Sequence, residues 1–471
     1  MTKNNLMTQT KTDNTIKPPF KNAGQSSNTI SLGSHPTGMF NTEAKEMLSK
    51  AMTNANIDSQ VVVNTGKTLV LNVFFDGTGN NYHNTDERKE DNIKGKNFVY
   101  TAPIIKNWYD SYQNDYSNVA HLYLGLAIRD DHVNIYIDGA GTTRNSSDSI
   151  LKGMSSGVGQ TGIRNRVNQS FGVIVKEYSL TNKSIPSMVY INVFGFSRGA
   201  AAARYFVHAA KNEPYRFTGW NLNRKKIRFR FVGVFDTVSS HGLRHNNDQE
   251  EIPMNFNCFD DDDKKITKVF HIKAMDEYRT NFASTNIENA IKGKFGIEVF
   301  LNGAHSDVGG GYVNNGKENY QFGKNIKLKE WLEQKRFFKK IISQSVSPIA
   351  QAQGHISYRA VREIASNDYH KIPLKIMRLV AAKHGQMAFT SKIIGHESKI
   401  SGVIKELSDI QSKKIMNEIG SWGKRIDLRL NEDEKMKNLR FNFLHWSVSN
   451  GIGMGVNLDQ NGLPIRKTIS G

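Results

Sequence analysis

Residues 193–200 read VFGFSRGA: an apolar run, a serine held between Gly195 and Gly199, and then AAAARYFVHAAK, a strong helix former. The spacing G-x-S-x-G gains meaning from that strand-to-helix context. A turn this sharp forces the serine into a strained conformation, and glycines two residues to either side let neighbouring backbone approach without a Cβ clash. Ser197 is then expected to stand exposed at the carboxyl edge of a sheet. There the N–H of Arg198 and the positive end of the helix face a developing oxyanion. The competing reading is an ordinary Gly-Ser loop before a helix.

Outward from this stretch, apolar runs of strand length recur: TLVLNVFF (68–75), HVNIYID (132–138), SMVYINVFGF (187–196), IRFRFVGVF (227–235) and IEVFLNGA (297–304). Segments with helical spacing separate them, including GVGQTGIRNRVNQSFGVIVKEY. This alternation predicts an α/β fold: a mainly parallel, α/β-hydrolase-like sheet with helices on both faces, plus a helical C-terminal addition. The expected organisation is a flexible N-terminal segment over 1–60 with one short helix at 41–52, a catalytic domain over 61–320, and a mainly helical region over 321–471. That last region is a possible lid or membrane-contacting part.

A serine hydroxyl needs a base, and the base needs an orienting acid. IRFRFVGVF ends in Asp236, and IEVFLNGA runs into His305 within the glycine-rich GAHSDVGGGY. Ser197, Asp236 and His305 occur in the chain order of an α/β-hydrolase triad. His445, in LHWSVS, competes for the role of base, and Asp307 competes for that of acid or holds the His305 loop. A second oxyanion donor is expected from the turn after the first strand, Asp76-Gly77-Thr78-Gly79, with Asp76 in support. Asp138-Gly139-Ala140-Gly141-Thr142 repeats that turn after the next strand.

The chain has 471 residues and a formal net charge of +19, which favours anionic partners. Cys258 is the only cysteine, so no intrachain disulfide can form. The first twenty residues lack the apolar core of a signal peptide, and no apolar run is long enough to span a bilayer. The acidic run at 260–263 reads as a solvated loop or, less simply, a calcium site. Residues 324–342 place Leu328, Trp331, Leu332, Phe338 and Ile342 on one helical face with lysines and arginines around it. That pattern fits an interfacial helix or lid, or a plain surface helix packed on the domain.

Taken together, FFDGTGNN, YIDGAGT, GFSRGAAAAR, VGVFDTV and GAHSDVGGGY resemble the first family of type VI secretion lipase effectors, over roughly residues 67 to 315. The resemblance implies an α/β-hydrolase with Ser197 as nucleophile, His305 as base and Asp236 as its partner, and no metal or organic cofactor. It further implies phospholipase A activity (A1 and/or A2) on bacterial membrane glycerophospholipids and a cognate immunity protein. Export would run through a type VI spike or tube component, from the producer's cytoplasm to the periplasmic side of target membranes. Two rival readings remain at this level. One is a magnesium-dependent phosphotransferase with Asp76 as nucleophile and Asp236 and Asp307 on the metal. The other is a basic nucleic-acid-binding protein, for which no finger, helix-turn-helix or aromatic-basic platform is visible.

Overall fold

TLVLNVFF forms strand β1 (Thr68–Phe75), buried at every position after the first, as a strand covered on both faces must be. The computed structural model describes residues 67–93, 111–144, 148, 162–181, 184–239, 252–345, 356–363, 366–451 and 453–471, so the expected 1–60 segment and its helix lie outside the described residues. The chain divides into a unit of residues 1–36 and one of 37–471, and every described residue belongs to the second.

After β1 come α1 (Tyr82–Ile93), α2 (Asn118–Leu124), β2 (His132–Ile137), α3 (Ile163–Thr181), β3 (Met188–Phe196), α4 (Arg198–Asn212) and β4 (Ile227–Phe235). The chain continues through α5 (Asp261–Ile266), β5 (Lys268–Ala274), β6 (Ser284–Thr285), α6 (Glu288–Lys292), β7 (Gly296–Leu301) and α7 (His305–Gly309). Seven strands form one sheet in the order β11-β7-β5-β4-β3-β1-β2, where β11 is Lys424–Asp427. Every pairing in it is parallel. The strand order reverses at β1, which lies between β2 and β3. Such a switch point opens a crevice outside the carboxyl ends of the flanking strands, where ligands of open α/β sheets bind. Asp76 follows β1 and Ser197 follows β3, so both stand at this crevice.

Side chains alternate between two cores, as the strand period of two requires. Leu69, Leu71, Val73 and Phe75, with Val189, Ile191 and Val193, pack against α3 and α4. Phe74, Phe194 and Phe196 face the opposite layer. The register of β4 against β3 slips by one residue between Ile191 and Asn192. This bulge puts Phe229 in the first core and Phe231 in the second, a reversal that strict alternation could not produce. Asn134, Asn72 and Asn192 are in register across β2, β1 and β3 and form a hydrogen-bonded ladder, with amide-to-amide distances of 2.7 and 2.8 Å. The Asn192 amide ends it on the Gly385 carbonyl, tying the second helical layer to the sheet.

The C-terminal third departs from the expected helical addition. It contributes β8 (Lys317–Phe322), α8 (Ile326–Gln334), β9 (Ile341–Ser345) and β10 (Ile356–Glu363), and the three strands form an antiparallel sheet in the order β8-β10-β9. Then follow α9 (Lys371–His384), α10 (Ser391–Ser398), α11 (Gly402–Glu418), the edge strand β11 and α12 (Glu434–Phe443). Residues of α9, α11 and α12 supply much of the second core, so this region completes the packing of the sheet. A last strand, β12 (Thr468–Ile469), pairs with β6.

The amphipathic stretch at 324–342 is a helix only to Gln334, after which Arg336 takes a φ of 56° and the chain turns into β9. Leu328 and Leu332 are buried and Trp331 packs beside them against Tyr278, Phe337 and Trp446, so the apolar face is directed into the protein. RFNFLHWSVS, which has a strand pattern, is helical through Phe443 and extended beyond it. The acidic run caps α5: the Asp260 side chain accepts from the Asp263 N–H, and buried Asp263 pairs with Lys211 and Arg228 at 2.8 and 2.7 Å. Among the described residues, no helix is long and apolar enough to cross a membrane.

Candidate active site

Ser197 sits between β3 and α4 with φ 59° and ψ −127°, a region that L-residues occupy only under constraint. The constraint comes from both sides. The Ser197 N–H donates to the Phe235 carbonyl at 3.1 Å, and the Ser197 carbonyl accepts from Ala200 and Val238 at 3.0 and 3.2 Å. A Cβ at Gly195 would fall inside 3.0 Å of Gly199 and Ala200 backbone, and one at Gly199 inside 3.0 Å of the Phe75 and Asp76 carbonyls. The two flanking glycines are therefore demanded by backbone contact. Ser197 itself is only 4% exposed, deeper than the sequence suggested.

At the end of β4, Asp236 also has a positive φ, 35°. Its turn is supported by a histidine that sequence reasoning missed. The Thr237 N–H donates to His271 Nε2 at 3.1 Å, which leaves Nδ1–H to donate to buried Glu298 at 3.1 Å. Asp236 Oδ2 lies 2.6 Å from His305 Nδ1. An ionised carboxylate can only accept, so the imidazole proton is on Nδ1 and Nε2 carries the lone pair that a base requires. His305 Nε2 is buried and has no hydrogen-bond partner among the described residues. The ring is held between Phe196 and Phe282, at centroid distances of 4.5 and 5.1 Å, and the His305 N–H donates to Glu277 at 3.2 Å.

Burial by itself would raise the pKa of Asp236, but the Arg466 charge and the His305 bond outweigh it and hold the carboxyl well below the usual range. Arg466 Nη2 lies 2.7 and 2.8 Å from the two Asp236 oxygens, and Nη1 donates to the Phe282 carbonyl. Burial lowers the pKa of His305, with Asp236 opposing it. His305 is thus kept neutral. Arg466 lies 230 residues from Asp236, in a tail without any local motif, and no sequence signal could have named it.

The competing residues pair with each other. His445 Nδ1 is 2.6 Å from Asp307 Oδ1, the His445 N–H donates to Oδ2 at 2.9 Å, and the ring stacks on Tyr312 at 3.8 Å. Asp307 also accepts from the Ala304 N–H at 2.8 Å, bracing the start of the helix that carries His305.

Asp76 is buried beside this constellation, its carboxyl accepting from Tyr136 Oη at 2.5 Å and from the Gly77 N–H at 2.6 Å. Burial pushes its pKa up to about 6, against the opposing effect of bonds from Ser117, Tyr136 and Gly77. The Gly77 N–H is thereby occupied, which corrects its assignment as a second oxyanion donor. In the same turn Thr78 Oγ1 is buried without a partner. The two glycine turns interlock through Gly79 N–H to Ala140 O and Gly139 N–H to Asn80 O, at 3.1 and 3.0 Å. Asp76, Asp236 and Asp307 are each committed to different partners, and among the described residues they do not form a group whose carboxylates could hold one ion.

A strained serine at a helix start, a neutral histidine and a carboxylate held ionised are the residue types that an acyl-transfer site uses, and among the described residues no hydrogen bond joins Ser197 to His305 Nε2. Among solved structures, a type 6 secretion effector called Tle1, determined bound to the VgrG spike, matches with a TM-score of 0.54 at 21% identity, covering 88% of this chain and 97% of that one. An uncharacterized protein from Pseudomonas aeruginosa matches at a TM-score of 0.42 and 17% identity, over 80% of this chain and 54% of the other. No curated protein matches. The model of the catalytic domain of Tle1-like type VI secretion phospholipase effectors matches residues 67–212 and 209–334, more than half of the chain, and the chain belongs to that family.

Proposed function

We propose that the protein is a phospholipase A that cleaves acyl esters of bacterial glycerophospholipids through Ser197, His305 and Asp236. The observation that carries the reading is the strained Ser197 turn beside a His305–Asp236 pair whose Nε2 has no other partner. His305 Nε2 takes the proton as Ser197 Oγ attacks the ester carbonyl, and Asp236 holds the tautomer and stabilises the imidazolium. The Arg198 N–H, at the positive end of α4, faces the tetrahedral oxyanion, and the Thr78 N–H is the remaining candidate from the β1 turn. Such a donor contributes about 3 to 4 kcal/mol. Lysophospholipid leaves, and water activated by His305 releases the fatty acid.

The family and the neighbour solved on a VgrG spike support a type VI setting for this reading. The protein rides a spike or tube component out of the producer, meets the periplasmic face of a target membrane, and is neutralised at home by an immunity protein. Its charge of +19 suits anionic lipid, each basic residue near such a surface adding about 1 kcal/mol.

The test is mass spectrometry of products from phosphatidylglycerol and phosphatidylethanolamine vesicles. Wild type should yield lysophospholipid and fatty acid in equal amounts, and Ser197→Ala none. Full activity in Ser197→Ala, or release of phosphorylated headgroups, would refute the proposal.

A further inference from the structure

Away from the serine, three histidines from distant parts of the chain meet. His121 lies on α2, His370 ends the single turn Asp368–His370 that precedes α9, and His396 lies on α10. One ring nitrogen from each lies within 4.8 Å of the others. The rings of His121 and His396 are 4.0 Å apart and those of His121 and His370 5.6 Å, each pair stacked, while His370 and His396 are tilted at 41°. We propose that His121, His370 and His396 form a binding site for one borderline divalent transition ion, zinc first, with water in the remaining position.

The hydrogen bonding prepares two of the three ligands. The Asn118 amide nitrogen donates to the Val308 and His370 carbonyls at 2.8 and 3.0 Å, which fixes the orientation of the side chain. Its oxygen must then accept, and it lies 2.8 Å from His370 Nδ1. His370 is therefore the Nδ1–H tautomer with its lone pair on Nε2. A ligating histidine is oriented in this way when its other nitrogen is held by a second group. His396 Nε2 is buried and has no hydrogen-bond partner, a state that costs free energy unless something else occupies it.

Zinc–nitrogen bonds of about 2.0 to 2.1 Å put tetrahedral ligand atoms roughly 3.4 Å apart, so closure draws nitrogens now within 4.8 Å closer together and turns the stacked rings toward a common point. Burial, followed by the neighbouring histidines and lysines, keeps the imidazoles neutral: His396 is lowered to about 4, His370 to about 3, and His121 well below its usual value. The nearby lysines do not oppose a cation at full strength, because Lys89 pairs with Asp115 and Lys371 with Asp368, each at 2.6 Å. Soft thiolate is absent, and neutral imidazole suits zinc, copper, nickel or cobalt rather than magnesium or calcium. The ion would clamp α2 to the turn before α9 and to α10, a structural role separate from ester cleavage.

The experiment uses tag-free, full-length protein stripped with a chelator and titrated with zinc chloride and, separately, cobalt chloride. One equivalent should bind at micromolar affinity or tighter, cobalt should give visible d–d absorption, and zinc should raise the thermal midpoint. His396→Gln, a change on a partly exposed helix, should weaken binding at least about 10-fold while keeping the wild-type circular dichroism spectrum. In wild type, zinc should also protect His396 from diethyl pyrocarbonate, which keeps the test open if the variant fails to fold. No binding at 100-fold excess over about 10 μM, unchanged affinity in His396→Gln, or unprotected His396 in the zinc-loaded protein would overturn the proposal.

Discussion

Replacing Arg466 with alanine tests whether the tail tunes the proposed base. Asp236 is fully buried, and without Arg466 its carboxyl keeps only His305 Nδ1 and the Ala274 N–H, the latter at 3.2 Å. Removing one partner of a buried ion pair costs about 3 to 5 kcal/mol, and equilibrium urea denaturation at pH 7 should show a loss of that order. The sign with pH follows from the direction of the Asp236 shift. A depressed carboxylate adds stability above its unfolded pKa and loses it as pH falls through the folded one, so the gap between wild type and Arg466→Ala should narrow in acid. Catalysis should respond separately. Arg466 and an imidazolium at His305 face each other across the Asp236 carboxylate, and two unit charges roughly 5 Å apart at an effective dielectric of about 20 repel by about 3 kcal/mol. That is about two pKa units as an upper limit, so the acid limb of kcat/KM on a soluble p-nitrophenyl ester should move up by about one to two units. Arg466→Lys, which keeps the charge, should leave the limb within about half a unit of wild type. An Arg466→Ala enzyme that loses stability with its acid limb unmoved would refute the electrostatic reasoning and leave Arg466 a mere strap.

The two histidines should separate cleanly: His305→Ala should lower kcat by about 10³-fold or more, and His445→Ala by less than about 10-fold while destabilising the fold by about 1 to 3 kcal/mol through the stranded Asp307, as read by esterase kinetics and urea denaturation. Gly309→Ala would put a Cβ within 3.0 Å of the Phe196 ring, which also abuts His305, so both thermal midpoint and kcat should fall, the stability by about 1 to 3 kcal/mol. For Asp76 the folded pKa is raised to about 6, so its contribution is complete below the unfolded value and declines as pH rises through 6. Denaturation between pH 4 and 8 should therefore show Asp76→Asn gaining on wild type by up to about 3 kcal/mol, two pKa units' worth, and a flat difference would contradict a buried, proton-linked Asp76.

The strands that could be read from the chain were those whose runs are mostly apolar. TLVLNVFF and IRFRFVGVF are β1 and β4 to the residue. KVFHIKA, which is β5, went unread because its polar residues mimic an exposed segment, although His271 and Lys273 are buried and both lie against Glu298 on β7. Their charges are compensated across the sheet by a partner about 25 residues away in sequence, which a local pattern cannot register. The same blindness affects the C-terminal third. Its helices look like an appendage when read alone, yet their apolar faces fill one side of the sheet, and the Trp331 helix that might have faced lipid packs against Trp446, more than a hundred residues on.

The site shows the complementary limit. Ser197, Asp236 and His305 were readable because each follows a strand at one sheet edge, so topology alone brings them near the β1/β3 switch point. The sequence favoured His305 with Asp236 but left His445 and Asp307 as competitors, since His305-x-Asp307 allows either carboxylate as a partner. In the structure each histidine has its own acid: Asp236 for His305 and Asp307 for His445, both at 2.6 Å. Each acid is further constrained by the chain's last segments, Asp236 by Arg466 and Asp307 by the His445 backbone. A tail that looks dispensable in sequence therefore touches both dyads. Truncation before Arg466 should disable the enzyme even though every residue of the proposed triad would remain.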